Sequence, residues 1–216
     1  MSEFIVHGIP GSPFMRAVTA ALEEKGQPYR IQVWSAGQHR TDAYRSLHPF
    51  CRIPTIQHGD FTLYETQAIL RYIDAVCDGP ALQPKDPKAA ARMNQLMGVN
   101  DWYFFAQVGI PVVFQRIIGP VLLGMTPDEA VIAAAQPNAA NCIQVINAML
   151  GDQPFLTGDA VSLADLQLFP QLEYFAQCPE GRALIGGAKL GDWLQRMAAR
   201  PSMQATLPPE PLRLAV

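Results

Sequence analysis

The sequence predicts an α/β domain followed by an all-helical one. Three observations carry that prediction. Over the first 78 residues, short apolar runs bounded by turn residues alternate with helical spacing. A Pro-rich stretch, Gly79-Pro80-Ala81-Leu82-Gln83-Pro84-Lys85-Asp86-Pro87, then breaks the pattern. Beyond it only helical spacing recurs, so the expected organisation is residues 1–78, a linker at 79–87, and a helical domain at 88–216.

Each element follows from local chemistry. Glu3 to Gly8 is a short apolar run ending in Gly, which reads as a strand. Ser12 and Pro13 suit the N-cap and first position of a helix; Phe14, Val18, Ala21 and Leu22 share one face, and Gly26 suits its C-terminal end. Tyr29 to Trp34 reads as a second strand, completing a βαβ unit. After a polar stretch from Ser35 to Arg45, a third strand starts at Ile53-Pro54-Thr55-Ile56. His58-Gly59-Asp60 turns the chain, and Phe61-Thr62-Leu63 returns as the antiparallel fourth strand. Glu65 and Thr66 open a helix whose apolar positions are Ala68, Ile69, Tyr72 and Ile73. The order is therefore βαβ followed by ββα.

In the helical half, turns are expected at Gly124–Pro127 and Gly151–Pro154, and Pro111 and Pro137 are expected to kink or break helices. The apolar stretch from Trp102 to Met125 contains Pro111, Arg116 and Pro120, so it reads as a core helix and not a membrane span. The tail from Leu207 to Pro211 is expected to lie extended.

Composition narrows the function. Hydrophobic residues are 49% of 216 and charged residues 16%, a folded and not a disordered balance. Lys+Arg 16 against Asp+Glu 19 gives a net charge of -3, leaving no basic surplus for a phosphate backbone, so no nucleic-acid partner is expected. Cys51, Cys77, Cys142 and Cys178 form no CxxC pair. They read as reduced thiols, and with no basic n-region or long apolar h-region at the N-terminus the expected location is cytoplasmic. His7, His48 and His58 have no metal-ligand spacing, so no metal is assigned.

One stretch is specific: His48-Pro49-Phe50-Cys51-Arg52-Ile53-Pro54-Thr55-Ile56, then Gly59-Asp60, then Leu63-Tyr64-Glu65-Thr66-Gln67-Ala68-Ile69. It resembles the cytosolic glutathione transferase family, whose pattern has Asn/His-Pro, a hydrophobic-Pro pair, a Gly-Asp turn and Glu-Ser-x-Ala-Ile. The resemblance covers nearly the whole chain and implies a thioredoxin-like domain followed by a helical bundle. Cys51 stands where Gly is common and Thr66 where Ser is common; Thr keeps both the hydroxyl and the N–H. Ser12-Pro13-Phe14, with Arg16, Val18, Leu22, Glu24, Lys25 and Gly26, is similar to the serine-using tau and phi classes. No tyrosine precedes Tyr29 and no cysteine precedes Cys51, which sets aside the tyrosine-using and cysteine-using classes.

The resemblance implies roles, each beside a plainer alternative. Ser12 contacts the glutathione sulfur, or only caps its helix. Ile53-Pro54 is a cis pair whose Ile53 backbone takes the cysteinyl unit, or a simple strand start. Thr66 takes the γ-glutamyl carboxylate and Glu65 the ammonium, or both serve a helix start. His39 and Arg40 hold the glycine carboxylate, or are solvated loop residues. Arg16 is expected at the surface or an interface. Phe14, with Tyr103, Phe104, Gln107 and Pro111, is expected to line the acceptor pocket, although aromatic residues at helical spacing also suit a core. Asn100 and Asp101 are candidates for reaching glutathione across a dimer interface and carry no assignment.

Ser162 and Asp165 read as a capping box, worth about 0.5–2 kcal/mol. The expected function is transfer of glutathione, as co-substrate, to an apolar electrophilic small molecule, by a homodimer. A glutathione-dependent isomerase or peroxidase, or a binding protein without turnover, are the alternatives.

Overall fold

The two central strands of the sheet carry its buried residues, while the two edge strands are half-buried or exposed. The computed structural model describes residues 3–35, 37–187 and 189–212. β1 (Phe4–Gly8) sits centrally in the order β2-β1-β3-β4. β2 (Tyr29–Val33) runs parallel to it and β3 (Thr55–His58) antiparallel, with β4 (Phe61–Tyr64) at the far edge. A parallel pair needs a crossover, which α1 (Pro13–Glu24) supplies. β3 and β4 need only Gly59-Asp60 between the paired His58 and Phe61, and Gly59 takes φ 65 there.

The polar stretch before β3 is more ordered than the sequence suggests. It holds a single 3₁₀ turn, Gln38–Arg40, and a one-turn helix, α2 (Asp42–Arg45), whose Tyr44 is fully buried. α3 (Thr66–Val76) follows β4 and packs against α1.

Every residue of α1 from Met15 to Leu22 is buried, which corrects the expectation for Arg16. Arg16 is 4% exposed, and its guanidinium donates to the Met203 carbonyl at 3.1 Å. Met203 belongs to α10 (Pro201–Ala205), and Ser202 there donates to Glu24 at 2.5 Å. These long-range bonds place Pro201–Pro209 with the first unit, which otherwise runs through Ala81. Among the described residues, the second unit holds Leu82–Arg200 and residues 210–212. The sequence assigned everything beyond the linker to the helical domain.

The second unit begins with a helical run of 37 residues, Pro87–Leu123. It comprises α4 (Pro87–Val99), a wide segment with i→i+5 hydrogen bonding (Asn100–Ile118), and α5 (Gly119–Leu123). By length and composition this run could cross a membrane, yet Phe104, Val108, Val112 and Ile117 on it are fully buried in the protein. Pro111 lies inside the wide segment and Pro137 inside α6 (Glu129–Leu150); neither ends its helix. Buried neighbours on both sides, Val108 and Val112 for the first and Ala135 and Ala139 for the second, carry the helix through.

α7 (Leu163–Gln177) is the core helix, buried except at Glu173 and Ala176; α8 (Pro179–Ile185) and α9 (Lys189–Ala198) follow. Asp165 in its first turn does more than cap. Its Oδ1 accepts the Leu156 N–H at 2.9 Å and the Trp193 indole N–H at 2.8 Å. Its Oδ2 accepts the Ser162 N–H at 2.9 Å and hydroxyl at 2.7 Å. Near the end of the described chain, Glu210–Leu212 forms a 3₁₀ turn with Leu212 buried, so the expected extended tail is corrected there. The four cysteines are free thiols.

Candidate functional site

Strand register brings four separate sequence segments to one end of the sheet. Gly8 ends β1 opposite Val33, the last residue of β2. His7 pairs with Thr55, the first residue of β3, and Thr55 pairs with Tyr64, the last of β4. The segments continuing from this edge are therefore Gly11-Ser12 after β1, the His39-Arg40 turn after β2, Ile53-Pro54 before β3, and Glu65-Thr66 after β4. All the residues that the sequence assigns to the tripeptide lie in these segments.

At the first, Gly11 takes φ 91, which only glycine adopts freely, and so turns the chain into α1. Ser12 is the N-cap: its Oγ accepts the Met15 N–H at 3.4 Å, a long bond, and Pro13 fills the first helical position. This is the plainer of the two roles expected for Ser12, and it does not exclude the other. A hydroxyl that accepts from a backbone N–H still has its own O–H to donate. The first turn of α1 holds no acidic residue, so its positive end suits an anion.

At β3 the Ile53–Pro54 bond is cis. The preceding backbone is held by Tyr44, whose hydroxyl donates to the Arg52 carbonyl at 2.8 Å and lies 3.2 Å from Thr55 Oγ1. Burial pushes the Tyr44 phenol above its ordinary pKa, so it remains a donor. Cys51 takes φ 52, which gives a physical reason for the glycine common at this point of the motif.

Glu65 also has positive φ, 71 with ψ 113, and makes no side-chain cap bond. Such backbone in a non-glycine residue costs about 1–3 kcal/mol and concentrates at functional sites. Its side chain is exposed, while Thr66, the first residue of α3, is 8% exposed. A carboxylate beside a helix N-terminus, with a hydroxyl within that terminus, suits a ligand carrying both an ammonium and a carboxylate.

The His39-Arg40 turn carries positive charge. Burial first, then Arg40 and Arg52, hold the His39 imidazole below its ordinary pKa. Arg52 also depresses His48, after burial. Arg52 was missed by the sequence reading; its signal is a basic residue immediately before the Ile-Pro pair.

The residues expected at an acceptor pocket do not share one environment. Phe14 is half-buried on α1. On the wide helical segment, Tyr103 is 55% exposed, and Gln107 and Pro111 are half-buried. Phe104 is fully buried and packs edge-on against Phe175 with ring centroids 5.8 Å apart, so it is a core residue. Among the described residues no three His, Cys, Asp or Glu side chains are grouped to hold a metal ion.

Comparison with known proteins identifies the family. Residues 11–76 match the family model of the glutathione S-transferase N-terminal domain, and residues 129–196 that of the C-terminal domain. The chain is 32% identical to glutathione S-transferase 3 of Zea mays, over 98% of both chains. It superposes on glutathione S-transferase III in its apo form with a TM-score of 0.83 and 31% identity, covering 96% of this chain and 99% of that one. A glutathione S-transferase I structure bound with lactoylglutathione gives a TM-score of 0.83 at 26% identity, covering 95% and 97%. With two domain models matched in order and a relative aligned end to end, the chain belongs to the glutathione S-transferase family.

Proposed function

We propose that the Ser12 hydroxyl holds the glutathione sulfur as a thiolate, which then attacks an apolar electrophile. Glutathione transfer itself follows from family membership. A free thiol has a pKa of about 8.5, so ionisation at neutral pH asks for a lowering of about 2 units, roughly 2.7 kcal/mol. A hydrogen bond to a charged group contributes about 1.5–3 kcal/mol and a helix N-terminus about 0.3–1. One serine at the start of α1 is sufficient, and no general base is required. The thiol proton leaves to solvent, the sulfur forms the bond to carbon, the carbon–halogen bond of an aromatic halide breaks and halide departs with its electron pair, and Ser12 donates its O–H to the negative sulfur until the new bond forms.

The convergence of four segments at the Gly8 end of the sheet carries this reading. In it, Glu65 takes the glutathione ammonium and Thr66, with the α3 N-terminus, the γ-glutamyl carboxylate. The Ile53 backbone beside Pro54 pairs with the cysteinyl unit. His39, Arg40 and Arg52 take the glycine carboxylate, Arg40 by its planar fork. Lactoylglutathione bound to a relative of the same fold supports a site of this chemistry. Tyr103, Gln107 and Pro111 on the wide helical segment are assigned to the electrophile. The working form is a cytoplasmic homodimer, as is usual in the family.

The test is Ser12→Ala. Turnover with an aromatic halide should fall by about 10²-fold, the scale of one lost donor to developing charge. Affinity for S-methylglutathione, which has no thiol to ionise, should change less than two-fold. Full activity in the variant would remove Ser12 from the chemistry.

A further inference from the structure

Beneath the sheet end that gathers the site, the first unit holds a histidine that glutathione chemistry leaves unused. His7 on β1 is 6% exposed, and both ring nitrogens are engaged. The Trp34 indole N–H has only a donor to offer, and it meets His7 Nδ1 at 3.3 Å. Nδ1 therefore accepts, and the ring proton sits on Nε2, which donates to Gln57 Oε1 at 2.8 Å. The neutral ring ties the residue after β2 to a side chain of β3.

Trp34 is well placed to pass on a change. Its own N–H bonds the Gly8 carbonyl at 2.9 Å, and it opens the connection that carries His39 and Arg40. Its indole packs edge-on against Tyr44 at 4.9 Å between centroids, and Tyr44 in turn holds the Arg52 carbonyl beside Ile53.

We propose that His7 is an acid-released latch: protonation at Nδ1 turns two N–H donors on one another, frees the Trp34 indole and loosens the turn that carries His39 and Arg40. The surrounding groups set its direction. From β2, the Arg30 charge opposes a second cation. β3 presents uncharged Gln57 and Thr55, while His58 pairs with Phe4 on the opposite face. The α1 ionisable groups have other partners: Arg16 the Met203 carbonyl, Glu23 the Tyr29 hydroxyl and Glu24 that of Ser202. From α2, Tyr44 reaches the latch through Trp34 and stacks on His48, while the charged Asp42 and Arg45 pair with each other. Burial first, and then Arg30, hold His7 below its ordinary pKa against the opposing pull of Gln57, so the latch is closed at neutral pH.

The consequence for glutathione rests on the assignment of His39 and Arg40 to its carboxylate; the latch itself does not. The test follows the Trp34 indole proton resonance and amide exchange over Gly37–Thr41 between pH 7.5 and 5.0. Wild type, His7→Asn and Trp34→Phe are compared, with exchange corrected for its intrinsic pH dependence. In wild type the indole resonance should titrate, exchange in the turn should rise about five-fold, and S-methylglutathione should bind about five-fold more weakly at pH 5.0. That is the scale of one net hydrogen bond. His7→Asn keeps an acceptor for Trp34 but no titration, so all three responses should vanish. Trp34→Phe should exchange fast at both pH values.

An indole resonance that does not move overturns the latch, as does a wild-type response of the turn in either variant. If His7→Asn does not fold, Trp34→Phe decides alone. Failure of S-methylglutathione to bind at either pH would remove the glutathione assignment, while the exchange data would still decide the latch.

Discussion

Replacing Asp165 by alanine should cost far more than a lost helix cap. The carboxylate accepts four hydrogen bonds of 2.7–2.9 Å, from Leu156, Trp193 and twice from Ser162. The four residues involved are between 0% and 1% exposed, so water cannot replace the acceptor. Each buried donor left unpaired costs about 1–3 kcal/mol, and shared relaxation keeps the sum below simple addition. We therefore expect a loss of about 4 kcal/mol, a large share of the roughly 5–15 available to a folded protein. At this chain length that lowers Tm by about 8–16 °C. Asp165→Asn should be nearly as costly, since its amide nitrogen brings a donor to a site that already holds four. Urea unfolding followed by tryptophan fluorescence, alongside calorimetry, measures both variants. A loss below about 1 kcal/mol for Asp165→Ala would refute the reasoning and return Asp165 to an ordinary capping residue.

Two further outcomes follow from the first unit. Cys51→Gly should stabilise the protein by up to about 1 kcal/mol: φ 52 disfavours a side chain by about 1–2 kcal/mol, and part of that relief is offset by glycine's extra unfolded freedom; denaturant unfolding that shows a loss would contradict it. Acid should destabilise the fold before the carboxylates titrate, because burial lowers the pKa of His7, His39 and His48. The unfolded chain then binds more protons than the folded one, so stability is full above about pH 6.5 and falls as pH drops toward the lowered native values. Unfolding curves at pH 7.5 and 5.5 that coincide would rule this out.

The strand and helix order of the first half was legible because each element has its own local signal. Ser12-Pro13 opens α1, Gly59-Asp60 turns the hairpin, and the motif around Ile53-Pro54 and Glu65-Thr66 marks the candidate site. Register was not legible; only the pairing of Gly8 with Val33, His7 with Thr55, and Thr55 with Tyr64 shows that the four segments end together. Glu65 reads as an ordinary helix start, since a positive φ leaves no trace in a Glu-Thr pair. Arg16 was misplaced because its partner, Met203, lies 187 residues away. Pro111 reads as a breaker by the local rule, and tertiary burial on both sides overrides it. Asp165 was recognised as a cap, but Leu156 and Trp193, its other partners, come from outside the box.

The central claim is that Ser12 stabilises a bound thiolate. Ultraviolet titration of the glutathione complex, following thiolate absorbance against pH in wild type and Ser12→Ala, tests it directly. We expect a bound-thiol pKa about 2 units below the free value of about 8.5 in wild type, returning most of the way in the variant. A bound thiol that titrates normally in wild type, or one that stays equally acidic without the hydroxyl, would contradict the account.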